Sequence, residues 1–277
     1  MSIKPYKRND NIKISLVVAR YYLPHIKLEK LISKFIKKFV NKNFIDVKNI
    51  KIIDLKSETS DLKNLLSFEW MEKEPNFFDF SAYQEIQIDD NQDLFLYIND
   101  TIFIRHPWKL IGQRLKSLIP TLSVIENPSA IGIVYPYTEA LTIDKVNPTM
   151  EHITTFCFLL NKSANQIFNK KLNSLPKTDS EVSQWINDKV NSNLFIDYLM
   201  NIHIFGPRSP WRWKRINSNF SKKTLHGKAI SVILEYELNA SILNSSGIII
   251  PISRDYKYLI FQKIQSMIGK LIYREYF

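Results

Sequence analysis

The rhythm of apolar and polar positions changes twice within the first sixty residues. The stretch "NIKISLVVARYY" begins as an alternation and then becomes continuously apolar, the pattern of a buried strand, and Pro24 ends it. Residues 26–40 then place Leu28, Leu31, Ile32, Phe35, Ile36, Phe39 and Val40 at helical spacing. Lys27, Lys30, Lys34, Lys37 and Lys38 fall mostly elsewhere on the wheel, which predicts an amphipathic helix. Alternation returns over residues 44–58, a second strand. The opening unit therefore reads strand, helix, strand.

Further along, residues 60–75 predict a short helix capped by Ser60 or Asp61 and stopped before Pro75. Residues 83–107 predict two or three short strands, punctuated by Asp89 to Gln92 and by Asn99-Asp100. A helix from Pro107 carries Trp108, Ile111, Leu115, Leu118 and Ile119 on one side, and Pro120 is expected to close it. Strands are predicted at "AIGIVYPYTEALTI" and "HITTFCFLL", and helices at "SANQIFNKKLNSL" and from Asp179-Ser180 onward. "AISVILEYELNASIL" and "SGIIIPIS" predict a hairpin around Asn244 to Gly247. A last helix is predicted to turn Leu259, Ile260, Ile264, Met267, Ile268 and Leu271 inward.

Strands in hairpin-like groups and interspersed helices predict an α+β fold, with mixed, mainly antiparallel sheets packed against amphipathic helices. A boundary near 120–130 divides the chain into units 1–122 and 123–277, with one continuous domain as the other arrangement.

Composition narrows this picture without changing it. Of 277 residues, 45% are apolar and 23% charged, an ordinary globular balance. Six glycines argue against phosphate-cradling loops, and none of the P-loop, dinucleotide or nucleophile-elbow motifs occurs. The single cysteine, Cys157, sits between Phe156 and Phe158 and reads as a buried, inert thiol of a reducing compartment. No apolar run reaches the ~18 residues of a spanning helix, so a cytoplasmic protein without a transmembrane segment is expected. The five scattered histidines give no metal-ligand spacing, and no cofactor or metal is expected.

Charge carries more information, because it is blocky. The net charge is +11. Residues 1–60 hold 14 Lys/Arg against 5 Asp/Glu, residues 61–100 hold 2 against 10, and residues 201–230 hold 7 against none. The last block contains "FGPRSPWRWKRINSNFSKK", where Arg208, Trp211, Arg212, Trp213, Lys214, Arg215, Lys222 and Lys223 interleave cations with indole rings. Aromatics that stack and cations that meet phosphates or carboxylates suit a polyanion or an acidic surface.

The sequence therefore reads as a non-enzymatic binding protein. Its basic aromatic surface would grip a nucleic acid, or an acidic protein surface within a multi-component bacterial assembly, as part of a homo- or hetero-oligomer. One alternative is an interaction subunit without nucleic-acid binding. The other is an enzyme: Asp46, Asp54 and Lys56 resemble in fragment a metal-dependent nuclease of the PD-(D/E)xK type. There, two carboxylates on adjacent strands hold a divalent ion and the lysine orients water. The acidic "DDNQD" run reads as a hairpin turn.

Overall fold

A computed structural model describes residues 11–40, 44–56, 67–74, 76, 79–84, 91–136, 151–176, 179–189, 222–253 and 255–272. Its strands are β1 (Ile12–Arg20), β2 (Ile45–Asp54), β3 (Glu69–Glu72), β4 (Leu94–Asn99), β5 (Ser129–Pro136), β6 (Glu151–Asn161) and β7 (Ile248–Pro251). Its helices are α1 (His25–Phe39), α2 (Asp79–Tyr83), α3 (Thr101–Arg105), α4 (Trp108–Ser123), α5 (Lys162–Asn173), α6 (Asp179–Lys189), α7 (Lys222–Asn244) and α8 (Tyr256–Ile272).

The strands form one sheet in the order β3-β2-β1-β4-β6-β5-β7. Pairings β1–β2, β1–β4, β2–β3 and β5–β7 are parallel, and only the two made by β6 are antiparallel. Every strand but β6 thus runs the same way. The expectation of mainly antiparallel sheets is corrected to a mixed α/β sheet, and this sheet takes strands from both sides of the boundary expected near residue 122. The reason is visible at β1. Its residues 14, 16 and 18 face one core and 17 and 19 the other, so the strand is buried on both faces. That is the condition of a parallel strand rather than of a hairpin.

Each face has its own core. Under α1, α3, α4 and α8 lie Leu28, Ile32, Phe35, Ile102, Ile111, Leu115 and Tyr258. Under α2, α5, α6 and α7 lies an aromatic cluster of Phe80, Tyr83, Tyr97, Phe158 and Phe168. Within it Tyr97 and Phe158 stack at 4.9 Å and Tyr83 meets Tyr97 edge-on at 5.0 Å.

Several expected elements change type. Residues 69–72, expected in a helix, extend the sheet edge as β3. Residues 101–105, expected in a strand, are helical, and α4 continues through Pro120 to Ser123. The hairpin expected around Asn244 to Gly247 is instead the end of the 23-residue α7, followed by β7 in parallel with β5. Helix α7 is buried along most of its length between the sheet and α5 and α6, so its sequence carries no helical stripe. The turn behind it is tight. Ser246 has a left-handed φ of 56°, and a Cβ on Gly247 would stand 1.7 Å from the carbonyl oxygen of Pro128.

Candidate functional site at the strand ends

In an open parallel sheet the crevice for ligands lies outside the carboxyl ends of the strands, where the strand order reverses. Here the order reverses at β1, with β2 and β3 on one side and β4 on the other. Each apolar strand run at this edge ends on a polar residue: Arg20 closes β1, Asp54 closes β2, and Asn99 closes β4 with Asp100 behind it. All four are buried. Three arrangements result.

The first is an ion network. Arg20 Nη1 donates to Asp54 Oδ1 and Oδ2 at 2.7 and 2.8 Å, and its Nε donates to the carbonyl of Leu23 at 2.8 Å. His25 Nε2 stands 2.9 Å from Asp54 Oδ2, and the N–H of Lys56 donates to Oδ1. Burial alone would push the Asp54 carboxyl up. The Lys56 N–H, Arg20 and His25 together outweigh it and hold the carboxyl below its usual range. With Asp54 ionised, His25 Nε2 must be the donor. His25 also packs on Trp70 at 4.7 Å, and Trp70 Nε1 donates to Glu29. The network is closed on itself and ties the β1–α1 turn to the end of β2.

The second is a filled nest. Successive N–H groups of Tyr21, Tyr22 and Leu23 converge on Asp100 Oδ2 at 3.1, 2.6 and 2.8 Å. Such a run of N–H groups is an anion-binding concavity, and this chain fills it with its own carboxylate. Burial pushes the Asp100 carboxyl up to about 6 in spite of those three donors.

The third is a carboxyl pair. Asp79 opens α2 and accepts from Asn99 Nδ2 at 2.9 Å. Glu235, half-buried on α7, accepts from the N–H of Thr155 on β6 at 3.1 Å. Thr155 lies beside both carboxyls, and the Lys228 ammonium acts on both. Burial raises each carboxyl above its ordinary value, only partly offset by Thr155, Asn99 and Lys228. Tyr21 packs, half-buried, against the aromatic core on this side, and the Tyr83 hydroxyl donates to the Thr155 carbonyl at 2.9 Å. Helix α7 is held here by Asn239, whose Oδ1 accepts from the N–H of Ile153. Two neighbouring carboxyls, one fully buried and one reaching the surface beside a lysine, are the equipment of proton transfer.

No family model matches this chain, and no curated protein matches it by sequence. Among solved structures it is similar to a mannosyltransferase, PcManGT from Pyrobaculum calidifontis, solved with GDP-Man and Mn2+. The two are 8% identical with a TM-score of 0.35, over 97% of this chain and 90% of that one, a likeness too slight to carry an argument.

The expectation of a non-enzymatic binding protein is nevertheless corrected. Asp79 and Glu235, both raised by burial beside Lys228 at the strand ends, are groups able to take part in acid–base chemistry. The nuclease reading also fails, on geometry. Asp46 and Asp54 lie at opposite ends of the same strand, eight residues and about 26 Å apart, so they cannot share an ion. Asp46 pairs with Lys48 at 2.5 Å. Lys56 meets Asp54 through its backbone N–H. Among the described residues no three His, Cys, Asp or Glu side chains converge as metal ligands.

Of the basic segment, Arg208, Trp211, Arg212, Trp213, Lys214 and Arg215 lie outside the described residues, and Lys222 and Lys223 open α7. Asp89 and Asp90 also lie outside them, while Asp93 accepts from the N–H of Lys13. Cys157 is buried on β6 with its thiol pushed up by burial. Asp79, Thr155, Lys228 and Glu235 went unread in the sequence. None of the four closes an apolar strand, so the polar strand ends that signal Arg20, Asp54 and Asn99 do not reveal them.

Proposed function

We propose that this chain is a group-transfer enzyme whose substrate lies against the carboxyl ends of β1 and β4, with Asp79 and Glu235 as its proton-handling pair. The observation that carries the reading is the pair of raised carboxyls beside Lys228, Asp79 bonded to Asn99 at the end of β4 and Glu235 to the N–H of Thr155, next to the point where the strand order reverses. The donor is a nucleotide-linked sugar, the class of ligand in the Pyrobaculum structure; that likeness chooses the first assay and supports nothing else. In the transfer, an acceptor hydroxyl forms the new bond to the anomeric carbon. The bond from that carbon to the phosphate oxygen breaks, and its electron pair leaves on the nucleoside diphosphate. The acceptor's proton passes to the Asp79–Glu235 pair, Glu235 being the carboxyl that reaches the surface. Because Asp100 occupies the N–H groups of residues 21–23, the diphosphate needs other cations. Arg208, Arg212, Lys214 and Arg215, in the acid-free run leading into α7, supply them in this proposal.

The test is release of nucleoside diphosphate from a panel of nucleotide sugars, with thermal shift as a binding readout. Glu235→Gln and Asp79→Asn should each lower turnover by roughly 10²–10⁴-fold. Asp46→Ala should leave it unchanged, and Arg212→Glu with Lys214→Glu should raise KM. Equal turnover in both carboxyl variants sinks the site. No thermal shift and no release with any nucleotide sugar sinks the substrate class.

A further inference from the structure

Helix α8 is built the wrong way round for a helix packed on a globular core. Its polar side faces the protein: Gln265 Nε2 donates to the carbonyl of Phe103 at 2.9 Å, Gln262 approaches His106, and the Tyr258 hydroxyl lies 2.9 Å from His106 Nδ1. Its apolar side faces outward. Leu259, Ile260, Phe261, Ile264, Met267 and Ile268 are 39% to 67% exposed, against the sequence expectation that this stripe turns inward. They span one continuous side of a helix about 25 Å long. Amphipathic helices on soluble cores do the opposite.

The layer that α8 belongs to is as one-sided in charge. Lys27, Lys30, Lys34, Lys37 and Lys38 of α1, Lys109 and Lys116 of α4, and Lys257 and Lys263 of α8 are all exposed. The only acidic residue within α1, α3, α4 and α8 is Glu29, which is buried and bonded to the N–H groups of Ser67 and Phe68 and to Trp70. We propose that this layer docks on an anionic lipid bilayer, with α8 lying in the plane of the interface and its apolar side among the acyl chains. Exposed apolar residues beside lysines on one helix are what an interfacial helix presents, and the lysine stems can reach past the apolar band to the headgroups. A nucleic acid would satisfy the lysines and leave the aliphatic stripe in water. A second copy related by a two-fold axis would bring lysine-bearing faces together.

The test is flotation of the full chain with vesicles of phosphatidylcholine alone, or with roughly a third phosphatidylglycerol. The chain should float with the anionic vesicles, less so as salt rises, and at least about tenfold less with the neutral ones. Ile264→Glu with Met267→Glu, both at exposed positions, should lower the partition coefficient at least about tenfold with an unchanged thermal midpoint. Lys34→Glu should lower it by about fivefold or more without touching the apolar stripe. The proposal is overturned if the chain stays unbound with anionic vesicles, or if the double variant floats as well as the parent. It is also overturned if light scattering shows a dimer that the double variant converts to monomer, since a second copy then covers the stripe.

Discussion

On one side of the sheet, charge is spread over the surface and the only carboxylate within the helices is buried and bonded. On the other, charge is drawn inward: Asp79 and Glu235 meet Thr155 and Lys228 beneath α7, next to an aromatic core. Both layers bury apolar residues against the same strands, so folding alone does not account for the difference. Spread lysines far apart cost little in water, whereas two carboxyls forced together out of water cost stability at neutral pH. Carboxyls raised by burial beside a charge partner mark a candidate functional site. The Arg20–Asp54–His25 network, at the same sheet edge but under α1, is the contrasting case: its buried carboxylate is fully met by donors.

Breaking the satisfied network should have the largest effect. Asp54→Ala removes the carboxylate that balances the buried Arg20 guanidinium and should cost about 3–5 kcal/mol in urea unfolding. Neutralising the strained pair should go the other way. Asp79→Asn should raise the unfolding midpoint at neutral pH while abolishing turnover, a separation of stability from activity that a purely structural carboxyl would not show.

The pH dependence sharpens the same contrast. The Asp54 carboxyl is depressed in the folded chain, so its contribution is present above the usual carboxylate range and is lost as pH falls through its lowered value. Asp79, Glu235 and Asp100 are raised, so the folded chain binds protons more readily than the unfolded one. Their penalty therefore grows as pH rises from the ordinary carboxylate range, through about 6 for Asp100. Their joint effect is a stability maximum at mildly acidic pH. Asp54→Ala should flatten its acid limb and Asp79→Asn its neutral limb. The smallest effect belongs to the turn where the chain leaves the site layer for the sheet edge. Ser246→Gly removes a left-handed strain and should add up to about 1 kcal/mol, read as a small rise in the melting midpoint.

Much of the lysine layer was legible. The stripe of Leu28, Ile32, Phe35 and Phe39 is the buried side of α1, and Trp108, Ile111, Leu115 and Ile119 that of α4. These helices have one wet side, and periodicity reports it. The site layer was less legible because α7 is mostly buried and its run Ile230 to Leu234 is largely apolar and partly β-branched, as a strand would be. Residues 69–72 misled for another reason: four residues are too few for a period to declare itself. In α8 the period was read correctly and its direction was not, since spacing says which residues share a side and nothing about what that side meets. At the site, Asp54 stood out in the sequence for an ion shared with Asp46, whereas it pairs with Arg20 and His25. Asp79 and Glu235 were hidden because their meaning lies in a contact that joins α2, β6 and α7 across the chain.

The parallel pairing of β7 with β5 has a consequence during synthesis. The partner that covers β5's outer edge, beginning at Ile248 opposite Ser129, follows it by 119 residues. Until it is made, the apolar "SAIGIV" segment of the nascent chain offers bare backbone N–H and C=O groups to any other strand. Chains interrupted before residue 248 are therefore expected to aggregate through that edge rather than persist as shorter folded proteins, and chaperone demand should be highest over that interval of translation.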